Sequence, residues 1–230
     1  MKVYVLEEWI FLGFIMDPIS HFLQQILLFF YGLTETLGFP SYGVAIILLT
    51  IVIKMSLYPL TVKQVKSMKS MQELQPKVKE LQTKYKGNPE KLNKEMAALY
   101  KTAGVNPLAG CLPLIVQMPF LIGIFYAIRD FQYVDQISFL WFTDLAHPDP
   151  LYILPVLSAI TTYLQQRQTT TEMTQQNKMM MIFMPLFVGY ISITFPAGLV
   201  LYWSVGNMIQ IAQQWWMYRK KPAVVQEEAN

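Results

Sequence analysis

The sequence predicts an all-α membrane protein with five transmembrane helices, an N-terminal interfacial helix and a cytoplasmic antiparallel helical hairpin. Three observations predict this fold. The chain is 53% apolar and only 14% charged, it contains five apolar segments, and its lysines are concentrated in one stretch. Soluble domains carry about 25% charged residues, so the composition favours a multi-span membrane protein.

The five apolar segments have roughly the length that a helix needs to cross hydrocarbon. They are residues 42–60, 107–128, 150–166, 179–195 and 197–218. Aromatic side chains lie near several of their ends, as expected where a helix leaves the bilayer: Tyr42, Tyr58, Tyr126, Tyr152, Trp215 and Trp216.

The distribution of positive charge predicts the orientation. Ten lysines lie between the first and second segments, and Arg219, Lys220 and Lys221 follow the last one. The opposite side has only Lys2 and Arg129. Since cytoplasmic loops are enriched in Lys and Arg, the pattern predicts five spans with the N-terminus outside and residues 219–230 as a cytoplasmic tail.

Residues 1–41 form a predicted outer-face segment. Within it, residues 21–39 are densely apolar but interrupted by Gln24, Gln25, Thr34 and Glu35. We interpret this stretch as a helix lying on the outer interface. The alternative is a sixth span, because the stretch is long enough to cross.

Residues 62–104 predict the helical hairpin. Apolar residues recur at intervals of three and four along its first half, opposite a charged face. Asn88 and Pro89 then favour the start of a second helix, and Gly104 favours its end; Pro76 predicts a kink in the first helix. The lysines fit a solvated face, contact with anionic lipid, or contact with a ribosome. No nucleic-acid motif accompanies them, so specific nucleic-acid binding is not expected.

Lys54 is the only charge within the first apolar segment. A charge there costs about 2.5–3.5 kcal/mol on insertion scales, so it either faces a polar cavity or extends to the nearer headgroups. Other polar residues in the predicted spans either bridge helices or line such a cavity: Thr50, Gln117, Thr161, Thr162, Ser192, Thr194, Asn207 and Gln210.

Several function classes lack their motifs. The sequence has no Gly-rich phosphate loop and no HExxH, which disfavours ATP-driven transport and metalloprotease chemistry. The predicted spans contain no Asp or Glu, which disfavours carboxylate-relayed proton pumping. We therefore expect no catalytic residues, no metal, no cofactor and no enzymatic activity.

Seven short motifs begin at Tyr58, Leu74, Glu95, Val105, Gly110, Gln117 and Phe195, and read YPLT, LQPK, EMAALY, VNPL, GCLPL, QMP and FPAGLVLY. In this order they resemble the YidC-type insertases of the Oxa superfamily in its compact five-span form. The resemblance covers about residues 42–218, which we take as the insertase core.

The resemblance implies a bacterial plasma-membrane insertase and chaperone for nascent membrane proteins, acting alone or with the Sec translocon. The family uses a hydrophilic groove open to the cytoplasm and lipid, with one positive residue in its first core span. Lys54 takes that position here, where arginine is usual; it keeps the charge but loses the planar fork of donors. The implied substrate groove consists of Thr50, Lys54, Gln117, Met118, Tyr202 and Trp203.

Two alternative functions fit some of the same residues. An anion transporter would use Lys54 as its binding site, but transporters usually contain internal repeats, and none is evident in this sequence. An assembly scaffold for other membrane proteins overlaps with the insertase function.

Overall fold

The computed structural model describes residues 2–105, 112–129, 131, 138–142, 144–169 and 175–219. This part of the chain contains eight helices and one isolated β-bridge, so the predicted all-α class is confirmed. The helices are α1 (Lys2–Thr36), α2 (Tyr42–Ser56), α3 (Tyr58–Lys84), α4 (Pro89–Thr102), α5 (Leu112–Arg129), α6 (Ile153–Thr169), α7 (Gln175–Ser192) and α8 (Ala197–Arg219).

The first predicted span, residues 42–60, is divided between two helices. Ser41 caps α2 by accepting a hydrogen bond from the Val44 amide, and α2 ends at Ser56. The chain bends by 60° before α3, where Pro59 lies in the first turn and lacks the donor that would continue α2. No single helix among the described residues is both long and apolar enough to cross a bilayer; the bent pair α2–α3 satisfies both criteria together.

Helices α3 and α4 form the predicted hairpin and contact each other. Asn88 accepts a hydrogen bond from the Lys91 amide as the N-cap of α4, and Pro89 is its first residue, as predicted. Gly104 follows α4 with φ +64°, a left-handed conformation that glycine adopts without strain. Pro76 lies inside α3, which continues beyond it to Lys84.

Helix α8 lies between α2 and α6, and α6 in turn packs against α7. Gly198 approaches Ile46, and Gly206 approaches Lys54. On each helix the two contact residues are the same number of positions apart, and the earlier residue of α2 meets the earlier residue of α8. Helices α2 and α8 therefore run in the same direction. Their N-terminal ends therefore share one end of the bundle, which holds much of the hydrophobic core.

Helix α1 includes residues 21–36 of the predicted segment 21–39 but begins much earlier, at Lys2, and ends at Thr36. It runs antiparallel to α2. The Tyr31 ring stacks on Tyr42 with centroids 4.0 Å apart. At the other end, Ile19 and Leu23 line a 530 Å³ cavity with residues of α2 and α5 and with Leu57, which directly follows α2. Residues 19–31 therefore lie along α2 rather than across its end.

The described residues between α5 and α6, 131, 138–142 and 144–152, close the bundle at the N-terminal end of α2 and α8. The Phe139 ring lies so close to Gly43 that a Cβ added there would clash with the ring. The carbonyls of Leu145 and His147 accept hydrogen bonds from the first two amides of α8, at 2.9 and 2.8 Å. These bonds satisfy amides that have no partner within the helix.

Candidate functional site

Lys54 lies near the C-terminal end of α2 and faces α8. Its Nζ donates a hydrogen bond to Gln210 Oε1 at 3.1 Å. Its backbone carbonyl accepts a hydrogen bond from Gln213 Nε2 at 3.4 Å. The side chain is partly buried rather than extended into solvent, so both its amine and its backbone are held by the same helix.

Thr50 lies one turn before Lys54 on the same face of α2. Its side chain is fully buried, and its hydroxyl donates to the Ile46 carbonyl at 2.6 Å. Its methyl group lies 3.8 Å from the position that a Cβ would occupy at Gly206. Thr50 therefore lies beside Lys54 at the α2–α8 contact, but its own hydroxyl is satisfied within α2.

A second polar group joins α6 to α8. Asn207 donates to the hydroxyls of Thr161 and Thr162 at 3.3 and 3.1 Å, and Trp203 Nε1 donates to the Thr162 hydroxyl at 3.1 Å. Asn207 follows Gly206 directly. Helix α8 thus carries polar contacts to α2 on one side and to α6 on the other.

Several buried oxygens in this region lack a protein partner. Among the described residues these include Ser204 Oγ, Gln213 Oε1 and Gln214 Oε1, all on α8. An unpaired buried polar atom costs about 1–3 kcal/mol. Of these residues, Gln213 contacts Lys54 directly, so the contact between α2 and α8 is polar at this point rather than purely apolar.

The electrostatics of this region are one-sided. Helices α2 and α5–α8 contain no Asp or Glu. The acceptor that Gln210 offers to Lys54 is a neutral amide. The positive charge of Lys54 is therefore held in place without a carboxylate from these helices, which suits a site that attracts negative groups.

The structure brings some of the predicted groove residues together. Lys54 and Thr50 meet α8, whereas Trp203 belongs to the polar group that α8 forms with α6. Tyr202 is only 2% exposed and belongs to the hydrophobic core. Met118 on α5 is 43% exposed, and the two residues after it line the apolar cavity beside α1. The Gln117 side chain lies outside the described residues.

Gly206, Gln210 and Gln213 contact Lys54 but were not assigned to the groove from the sequence. Gln210 is separated from Lys54 by 156 positions, and no local pattern links residues so far apart. The one available signal was the presence of Gln210 among the polar residues in the last apolar segment.

The described residues contain no group of three or more His, Cys, Asp or Glu side chains arranged to hold a metal ion. Asp144 and His147 form a pair with 2.5 Å between Oδ2 and Nδ1 in the segment before α6. This pair lies at the closed end of the bundle, away from Lys54.

The model of the family described as "60Kd inner membrane protein" matches residues 32–224. A membrane protein insertase YidC of Clostridium perfringens is 41% identical, with 88% of this chain and 91% of that protein covered. The membrane protein insertase MisCA of Bacillus subtilis is 46% identical, with 75% of this chain and 69% of that protein covered.

Other relatives are much longer. In the YidC of Citrifermentans bemidjiense, 41% identical, the match covers 89% of this chain but only 37% of the relative. The crystal structure titled "Active YidC insertase crystal structure with the first transmembrane domain resolved" superposes with a TM-score of 0.69 at 29% identity, covering 84% of this chain and 45% of that one. The chain therefore spans less than half of these two proteins.

Proposed function

The chain belongs to the family of YidC-type membrane protein insertases, and from that premise we propose that it moves nascent membrane proteins into the bilayer through the polar region around Lys54. The observation that carries this proposal is a lysine inside an apolar segment whose amine is held by a neutral amide, Gln210. Such a site can bind a negative or polar segment reversibly without forming a covalent bond.

The first step is attraction of a hydrophilic substrate segment from the cytoplasm. Lys54 lies towards the C-terminal end of α2, opposite the end closed by Phe139 and Gly43. A charge pair about 4 Å apart contributes about 4 kcal/mol at an effective dielectric constant near 20. An acidic segment is therefore stabilised part of the way across, where hydrocarbon alone would exclude it.

The second step is release of the apolar part of the substrate into lipid. Burial of apolar surface contributes about 25 cal/mol per Å², so one hydrophobic segment outweighs the cost of moving a short polar tail. Exposed apolar side chains on α7 are suited to the lipid boundary, among them Ile182, Phe183 and Leu186. No cofactor or nucleotide is needed for either step.

The proposed membrane arrangement has α2, bent into α3, and α5–α8 as five crossings, with the α3–α4 hairpin and the C-terminal tail in the cytoplasm. The positive-inside bias supports this orientation. The common direction of α2 and α8 also supports it, because an even number of steps separates the first and fifth crossings and each step reverses the direction of the chain. The bacterial plasma membrane is the proposed location, as for the inner membrane family.

The position of α1 bears on the fate of the N-terminus. Its pairing along α2, from Tyr31 beside Tyr42 to Ile19 beside Leu57, favours the sixth-span alternative over a helix lying flat on the outer interface. A crossing α1 would place the N-terminus in the cytoplasm. The interfacial arrangement would leave it outside.

Cysteine labelling distinguishes these arrangements. In a Cys111→Ser background, single cysteines are placed at Val3, Leu37 and Lys86, and whole cells receive an impermeant thiol reagent. We expect labelling at position 37 and none at position 86. Labelling at position 3 would support the interfacial helix, and protection there would support a crossing α1. Labelling at position 86 from outside would overturn the whole orientation.

The proposed partners are nascent membrane proteins, with the Sec translocon and the ribosome as candidates. The exposed lysines of the hairpin support contact with anionic lipids or with the ribosome. Tyr85 lies 5.5 and 5.3 Å from the amines of Lys84 and Lys91. Lys84 and Lys91 therefore place positive charge at the tip of the hairpin, on either side of the Tyr85 ring.

Reconstitution tests the function directly. The purified chain is placed in liposomes without ATP and given a short single-span substrate with an acidic tail. We expect protease-protected substrate in proportion to the amount of chain reconstituted. Insertion no greater than in empty liposomes would contradict the proposal, provided that circular dichroism shows the reconstituted chain to be helical.

A further inference from the structure

We propose that helix α8 forms a slot that fixes the ammonium group of Lys54, and that Gln210 in this slot determines how strongly the groove selects acidic substrate segments. The inference rests on the proposed insertase function and deepens it. The slot consists of Gly206, Gln210 and Gln213 on α8. These positions are four and three residues apart, so they lie on one face of the helix.

Gly206 provides the space for the lysine side chain. A Cβ at this position would lie 3.1 Å from Lys54 Cε and 3.7 Å from Nζ. The first distance is shorter than an ordinary carbon–carbon contact of about 3.5–4.0 Å. The absence of a side chain therefore lets the methylene chain of Lys54 lie directly against α8, and any larger residue must displace it.

Gln210 provides the acceptor for the amine, one helical turn beyond Gly206. Its Oε1 lies 3.1 Å from Nζ. A neutral amide orients the ammonium without cancelling its positive charge. A carboxylate at the same position would orient it equally well and neutralise it. Glutamine is thus a residue type that holds the charge without cancelling it.

Gln213 holds the backbone at the same point. Its Nε2 donates to the Lys54 carbonyl at 3.4 Å. That carbonyl is one of the last four of α2, which receive no hydrogen bond from an amide of the same helix. The side chain and the backbone carbonyl of Lys54 are therefore both hydrogen-bonded to α8. These two bonds fix the position of the charge along the groove.

The test measures insertion yields in liposomes for two substrates that differ only in having an acidic or a neutral tail. The readout is the yield of the acidic-tail substrate divided by the yield of the neutral-tail substrate. Gln210→Glu is expected to lower this ratio by about tenfold, because the new carboxylate pairs with Lys54 and neutralises the charge that would attract an acidic tail. Gly206→Val is expected to lower it by about threefold by displacing the amine, the loss expected for a weakened charged hydrogen bond.

A charge transposition tests position separately from packing. Lys54→Gln alone should lose the acidic-tail preference, and Lys54→Gln combined with Gln210→Lys should restore it, since the amine then enters the same space from α8. Asn207→Leu is the matched control. Its hydrogen bonds go to Thr161 and Thr162 on α6, so its loss should reduce both yields equally and leave the ratio unchanged.

The outcomes separate the two proposals. If the wild-type chain inserts both substrates and Gln210→Glu leaves the ratio unchanged, the slot is wrong and the insertase function stands. If the wild-type chain inserts neither, the function itself fails.

Independently of insertion, a double-mutant cycle with Lys54→Met and Gln210→Leu, read from thermal unfolding in detergent, tests the contact between the two side chains. Non-additive effects are expected, and additive effects would overturn the slot.

Discussion

Replacing Lys54 with glutamate is expected to reduce insertion of an acidic-tail substrate by at least about tenfold, because an attraction of several kcal/mol becomes a repulsion. Lys54→Arg should retain most of the activity, since it keeps the charge. Lys54→Ala should fall between these two. The measurement is protease-protected insertion in liposomes, normalised to the amount of folded chain.

The matched substrate with a neutral tail is the control. If the charge attracts the substrate, the defect of Lys54→Ala should shrink when the acidic residues of the tail are removed. If Lys54 only anchors α2 at the headgroups, each loss of charge should reduce the yields of both substrates equally. Equal reductions would remove the electrostatic role of Lys54 and leave the family assignment intact.

Asp149→Ala is expected to lower the free energy of unfolding by about 3–5 kcal/mol, the range for removing a buried, multiply bonded charged acceptor. The side chain is 3% exposed. It accepts hydrogen bonds from Trp141 Nε1 at 3.2 Å and from the amides of Leu151 and Leu154 at 3.0 and 2.7 Å. Without it, the Trp141 indole and two amides at the start of α6 lose their acceptor.

Denaturant unfolding in detergent, followed by tryptophan fluorescence, measures this change. Asp144→Ala is the control, because Asp144 lies in the same segment and is more exposed, with a bond to the Ala146 amide. Its loss should cost about 1 kcal/mol. Asp149→Asn should give an intermediate loss, since the amide retains one acceptor oxygen. Equal losses for Asp149→Ala and Asp144→Ala would show that Asp149 does not hold this segment together.

Local rules predicted the elements that local chemistry controls. Asn88, Pro89 and Gly104 define a helix start and end within a few residues of chain, and the structure confirms all three. The apolar segments predicted α5–α8, because each segment is a continuous stretch of chain that can be recognised without tertiary contacts. The break of α2 at Leu57 was not predicted, although Pro59 and its missing donor provided a signal.

Tertiary contacts determined the features that sequence reasoning did not find. The start of α1 at Lys2, well before residue 21, was not predicted from the sequence. The partner of Lys54 is an uncharged glutamine far along the chain, so neither charge pairing nor periodicity could identify it. Tyr202 belonged to a motif that pointed to the groove, but the rotation of α8 directs it into the core.

The pairing of α2 with α8 also has a consequence for the synthesis of this chain. The 156 positions between Lys54 and Gln210 take roughly 8–30 s to translate at about 5–20 residues per second. Throughout that interval α2 lacks the helix that holds its lysine, and it must be sheltered by water, by lipid headgroups or by another membrane chaperone. A newly made copy thus belongs, until its last helix emerges, to the same class of polar-faced clients that the finished protein is proposed to serve.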